Sequence, residues 1–105
     1  MKQNKLIAIE KEIRQIKQQL LSTGEMRPGS LTLQYNQPKS KNVPYYQISY
    51  THHMQSRTDY VRKEFVADLR RQIKNYKRFK KLVNRWVDLA IQYSKFKIDS
   101  AIKKR

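Results

Sequence analysis

An α+β fold is what the sequence predicts: an N-terminal helix, a three-stranded antiparallel β-meander and a long C-terminal helix with coiled-coil-like seams. Three observations point there. Residues 3–22 place Leu6, Ile9, Ile13, Ile16 and Leu20 at steps of 3, 4, 3 and 4, which is one face of a helix. Residues 30–61 hold three short runs of alternating, β-branched or aromatic residues, each bounded by turn formers. Residues 64–105 contain no Gly and no Pro, so nothing interrupts a helix over 62–103, and at about 1.5 Å per residue it would reach roughly 60 Å. At 105 residues the chain reads as one domain, 1–105, small enough for oligomerisation to add stability.

The first helix sets Lys, Glu, Arg and Gln between its apolar positions and stops at Ser22-Thr23-Gly24. Five seam positions are short for an independent coiled coil. This helix must therefore dock, either on the long helix of its own chain or on a second copy. Arg27-Pro28-Gly29-Ser30 reads as a turn, with Pro fixing φ and Gly free to take a positive one. Strands are expected at 31–35, 45–50 and 57–61. The first connection, 36–44, carries two Pro and two Lys and is expected to be a mobile, solvated loop; the second, 51–56, is expected to be a shorter turn.

The long helix presents three faces. At about 100° per residue, Arg70, Arg71, Lys74, Lys77, Arg78, Lys81 and Arg85 share an arc of roughly 120°, with Lys80 outside it. Away from that arc lie Val66, Leu69, Ile73, Tyr76, Val83, Val87 and Ala90, and the first four are the natural lid for the sheet's inner face. From residue 79 a second stripe begins: Phe79, Leu82, Trp86, Leu89, Tyr93 and Phe96, at steps of 3, 4, 3, 4 and 3. That is the a/d rhythm of a coiled-coil seam. A helix with two apolar stripes in its second half needs two partners there. The expectation is a homodimer, or a seam for another protein.

Charge narrows the class of ligand. The chain carries a formal +16, of which residues 62–105, with fifteen Lys and Arg against four Asp and Glu, hold +11. No acidic residue lies between Asp68 and Asp88. A merely solvating face mixes signs and forms i,i+4 pairs, whereas a face of one sign repels itself until a polyanion covers it. Nucleic acid is the expected ligand, with DNA ahead of RNA. A membrane is not expected, because the arc lacks Trp or Leu anchors and no apolar run approaches spanning length.

Other classes are excluded more briefly. Without cysteine there are no disulfides or thiolate metal sites. His52-His53 has no third ligand at a useful spacing, so no metal and no cofactor are expected. Asp59 and Glu64 have no partner at an acid–base spacing, and neither a nucleophile elbow nor a phosphate loop is present, so catalysis is not expected. Met1-Lys2-Gln3-Asn4-Lys5 leads into a charged amphipathic segment in place of the apolar core of a signal peptide. The expected setting is the cytoplasm, with association to the nucleoid.

Alternation in the second strand separates Tyr46, Ile48 and Tyr50 from Tyr45, Gln47 and Ser49. An exposed sheet face bearing Tyr45, Gln47 and Ser49, with Arg57 and Thr58, is expected to contact bases or sugars. Arg57 is counted with the helix cations as nucleic-acid-binding, adding position or modest base readout.

The order of Pro28-Gly29-Ser30, Tyr35, Pro44-Tyr45-Tyr46, Arg57, Tyr60-Val61, Arg70-Arg71-Gln72-Ile73, Asn75-Tyr76 and Arg78-Phe79 resembles a small uncharacterised bacterial family encoded near transposases in mobile elements. Many of its members carry a cysteine cluster between the positions of Tyr35 and Tyr45, absent here, so no metal role carries over. In architecture the chain also resembles the sheet-plus-helix modules by which some integrases grip DNA, an analogy of fold alone. The resemblance implies genomic company. The expectation is a non-enzymatic accessory protein of a mobile element that binds double-stranded DNA; the alternatives are an RNA or ribonucleoprotein-binding protein and a helical adaptor that recruits a transposase or another effector.

Overall fold

The computed structural model describes residues 2–35 and 44–103. Its elements run in order α1 (Lys2–Leu21), β1 (Ser30–Tyr35), β2 (Pro44–His52), β3 (Gln55–Val61), a single 3-10 turn (Lys63–Phe65) and α2 (Val66–Lys103). The three strands form one antiparallel sheet in the order β1-β2-β3. This is the α+β architecture that the periodicities predict. The connection expected to be a solvated loop falls, but for Pro44, outside the described residues. By internal packing the chain divides into two compact units, Gly24–Lys77 and a second made of Met1–Thr23 with Arg78–Arg105.

In the unit 24–77, register follows from which side chains need burial. Leu31 pairs with Ile48, and Ile48 with Asp59; Leu33 pairs with Tyr46, and Tyr46 with Val61. Period-two alternation puts Leu31, Leu33, Tyr46, Ile48, Tyr50 and Val61 on one face. There Ile48, Val61, Val66, Leu69 and Ile73 form the core, with Leu31 and Tyr46 packed against it. Ile48, on the central strand, is fully buried. The segment before β1 is held by four contacts: the Arg27 N–H donates to the Gln72 carbonyl (3.1 Å), Asn75 Nδ2 donates to the Glu25 carbonyl (2.8 Å), and the Arg27 guanidinium pairs with Asp59 (2.8 Å) and lies over the Tyr50 ring (5.1 Å). Gly29 has φ +146°, and a Cβ there would stand 2.7 Å from Ile48 Cγ1. Only Gly meets both the backbone angle and the close approach.

The β2–β3 connection is tighter than the sequence suggests. His53 (φ 52°) and Met54 (φ 63°) alone make the turn, and the strands run on through Thr51, His52, Gln55 and Ser56. Two consecutive left-handed residues are the signature of a type I′ hairpin, which matches strand twist but ordinarily calls for Asn-Gly. His-Met carries no such signal. Helix α2 likewise starts later than position 62, because Arg62 leaves the sheet extended (φ −68°, ψ 144°) and the 3-10 turn intervenes.

In the other unit, α1 and the second half of α2 pack along their seams. Ile9, Ile16 and Leu89 are buried, with Ile13, Leu20, Leu82, Trp86, Tyr93 and Phe96 packed around them. Helix α1 ends with Ser22 Oγ and Thr23 Oγ1 both donating to the Gln19 carbonyl (2.9 and 3.1 Å). Of the two docking targets open to α1, the structure uses the long helix of the same chain. Leu82, Trp86, Leu89, Tyr93 and Phe96 thus have their cover within the chain, while Phe79 is half-buried and Val87 and Ala90, from the apolar stripe away from the basic arc, are exposed. No helix among the described residues is long and apolar enough to cross a membrane.

Candidate nucleic-acid interface

The basic residues of α2 separate into two kinds once carboxylates are located. Arg71 Nη2 donates to Asp68 (3.2 Å), one turn back. Arg85 reaches Glu12 of α1 through Nε (2.6 Å) and Nη2 (3.2 Å), a bidentate pair. Glu12 holds the Arg85 guanidinium above its ordinary pKa, through the hydrogen bond first and its charge second. Arg70, Lys74, Lys77, Arg78 and Lys81 are exposed, and among the described residues they have no ion-pair partner. Two of the seven cations in the arc thus have a carboxylate partner, and five have none among the described residues. Sequence spacing reveals the Arg71–Asp68 pair as an i,i+3 neighbour. The Arg85–Glu12 pair joins residues 73 positions apart, and only the docking of α1 creates it.

Within the unit 24–77, Arg70 and Lys77 line an open cleft of about 390 Å³ beside the edge strand β1, together with Gly29, Ser30, Leu31 and Ile73. Helical spacing of seven residues stacks the two cations two turns apart, roughly 10 Å along the axis. That distance exceeds the rise between successive phosphates of one DNA strand and suits contacts that skip along the backbone. Ser30 of the edge strand stands at the rim. Its place there is not legible from the sequence, because only folding brings β1 beside this part of α2.

The sheet face not covered by α2 is uniform in chemistry. Alternation and register place Ser30, Ser49 and Thr58 in one row, Thr32, Gln47 and Tyr60 in the next, Gln34 and Tyr45 beyond them, and Thr51 with Ser56 at the hairpin end. Ser49 Oγ and Thr58 Oγ1 are 3.2 Å apart, Thr51 Oγ1 and Ser56 Oγ 3.1 Å, and the Tyr45 and Tyr60 rings lie 6.1 Å apart at 32°. All are hydroxyls, amides or phenols, without a charge or an aliphatic side chain. Tyr45, Gln47, Ser49 and Thr58 thus share one face as expected, and Tyr60, absent from the expected set, completes the group.

Arg57 does not join them. It pairs in register with Tyr50 and donates to Gln55 two residues away (3.0 Å), so it belongs to the opposite face. The period of two forbids neighbours 57 and 58 from sharing a side, which is the physical reason for the correction. His52 and His53 stack on each other with ring centroids 3.9 Å apart, and among the described residues no cluster of three or more His, Cys, Asp or Glu is placed to hold a metal ion.

Compared with known proteins, the chain matches no family model, no curated protein and no solved structure.

Proposed function

We propose that the protein is a non-enzymatic nucleic-acid-binding accessory protein, with double-stranded DNA as its preferred ligand and α2 as its phosphate-contacting element. One observation carries the reading: Arg70, Lys74, Lys77, Arg78 and Lys81 are exposed cations of one helix with no carboxylate partner among the described residues. Holding them together costs repulsion that a neutral surface would avoid, and a polyphosphate removes that cost. Such contacts fix position and carry no base information. The neutral row of Gln47, Ser49, Thr58 and Tyr60 has the donors and acceptors that base edges or sugars require. A role in a mobile genetic element, and with it a transposase as protein partner, rests on the motif resemblance over residues 28–96.

RNA or another single strand is the second reading, supported by the Tyr45–Tyr60 ring pair and the 68% exposure of Tyr60, which suit base stacking. An adaptor role through the 79–96 seam would require α1 to leave it. Fluorescence anisotropy against duplex DNA, single-stranded DNA and a structured RNA, each at several salt concentrations, tests these readings together. Five phosphate contacts predict tightest binding to the duplex and a slope of log K against log salt of about −4 to −5. A slope near zero for every ligand sinks the proposal, and a preference for single strands replaces it with the stacking reading.

A further inference from the structure

Beyond the seam that α1 covers, α2 carries another apolar stripe in the same unit: Val83, Val87, Ile91, Ser94, Ile98 and Ile102. At about 100° per residue its centre lies roughly 140° around the helix from Leu82, Trp86, Leu89, Tyr93 and Phe96. With α1 docked, Val87, Ile91, Ser94, Ile98 and Ile102 stay exposed and Val83 is half-buried. Val87, Ile91, Ile98 and Ile102 are 50 to 64% exposed, a concentration of β-branched aliphatic surface that isolated exposed residues do not account for.

The spacing says what fits. The steps are 4, 4, 3, 4 and 4, so 83, 87 and 91 recur at 94, 98 and 102: an 11-residue period of about 3.67 per turn, close enough to a straight helix to stay in contact with another straight helix. The series also reads the same in both directions. When two copies lie antiparallel about a twofold axis between residues 92 and 93, Val83 meets Ile102, Val87 meets Ile98 and Ile91 meets Ser94, and every layer recurs by symmetry. In that arrangement residues of the same flank face each other. Asp88 and Lys95 occupy one flank, and Asp88 of one copy stands within about 3 Å, or two residues' rise, of the level of Lys95 in the other. On the opposite flank Ala90 and Ala101 leave room for close approach.

We infer that this stripe is a self-association surface, and that its occupant is the same stripe of a second copy, packed antiparallel. The inference does not depend on nucleic-acid binding. Aliphatic β-branched residues with no Trp or Phe on the stripe fit a facing helix better than a lipid interface. The contact spans about 29 Å and is small for a stable dimer, so the association is weak, on the order of micromolar. Each copy carries +16, so added salt tightens it by screening repulsion. Nucleic-acid binding moves the opposite way with salt, and the two proposals fail separately.

Sedimentation equilibrium at 0.5 M NaCl is the test, with far-UV circular dichroism confirming helix content in each variant. The expected result is a concentration-dependent dimer that dissociates at least tenfold more readily in Ile91→Asp and in the exposed, fold-neutral Lys95→Glu. The exchange Asp88→Lys with Lys95→Glu restores it, and Ser94→Leu tightens it about tenfold. Because the chain has no cysteine, a nitroxide on Asn84→Cys reports orientation: roughly 25 to 30 Å between labels when antiparallel, under about 15 Å when parallel. A monomer at every concentration overturns the proposal, as does the short distance. Monomer together with cosedimentation on anionic vesicles transfers the stripe to a lipid surface.

Discussion

The two units cover their shares of one helix in different ways. In 24–77 the helix lies on a sheet, and the core is built from cross-strand neighbours around Ile48; in the other unit α2 meets a single helix, and the core is a ladder of seam residues around Leu89. The contrast extends to charge. The helical unit returns a carboxylate to α2, Glu12 to Arg85, and a second, Glu10, accepts from the Tyr93 hydroxyl at 2.7 Å. Among the described residues the sheet unit places Asp59 against Arg27 and Asp68 beside Arg71 and gives Arg70, Lys74 and Lys77 no carboxylate. A neighbouring helix of mixed charge brings a carboxylate to the cation it touches, whereas the sheet face on which α2 lies is mostly apolar and its Asp59 is taken by Arg27. The comparison teaches that the anion-binding capacity of a basic helix depends on which carboxylates docking delivers to it.

The largest expected effects come from the two cores. Ile48→Ala and Leu89→Ala each remove a side chain with almost no exposure and should each cost about 2–5 kcal/mol. Trp86, the single tryptophan, reports the helical unit. Urea titration followed by its fluorescence should shift strongly for Leu89→Ala. Ile48→Ala should instead strip amide-exchange protection from β2 with less change at Trp86; equal loss at both probes would break the distinction between the units.

A smaller effect separates the two kinds of cation. Lys77→Gln removes an open positive charge and should reduce the magnitude of the salt slope for duplex binding by about one. Arg85→Gln removes one already neutralised by Glu12 and should leave that slope unchanged. Exposed pairs of this type contribute little to stability, so the measurement of choice is binding. Equal slope changes would mean that the Arg85–Glu12 pair opens when nucleic acid arrives.

The smallest effect is a pH dependence in the helical unit. The hydrogen bond to Glu10 raises the Tyr93 hydroxyl above its ordinary pKa of about 10, with desolvation and the charge of Glu10 acting in the same direction. A raised folded value means that the contribution is fully present below about pH 10 and is lost as pH climbs through the folded value. Thermal melts at pH 8 and pH 11 should show a greater loss in the native protein than in Tyr93→Phe. Parallel losses would remove Tyr93 from the account.

Much of the fold was legible beforehand, because it rests on periodicities that neighbours reinforce. The 3,4 spacing of Leu6 to Leu20 and of Phe79 to Phe96 marks two faces shaped for each other, and the alternation through Tyr46, Ile48 and Tyr50 fixes which side of β2 is buried. The candidate site was legible only in part. The single-sign run from Arg70 to Lys81 is visible in the chain, and so is the neutral content of β2. Placing Arg57 beside Thr58 failed because it overrode the period of two that organised the rest of the strand. The hairpin at His53-Met54 escaped because its residues are not those its backbone prefers.

What the sequence by itself determined is therefore the set of elements, their buried faces and the sign of the surface charge, all of which follow from residue order along one element. Tertiary structure alone decided the rest. It chose the same chain as the cover for the 79–96 seam, brought Glu12 to Arg85 across 73 positions, and set Arg70 and Lys77 beside Ser30 on an edge strand. The physical reason is that docking delivers charges and surfaces between residues far apart in the chain, and no local spacing encodes which of several compatible faces will meet.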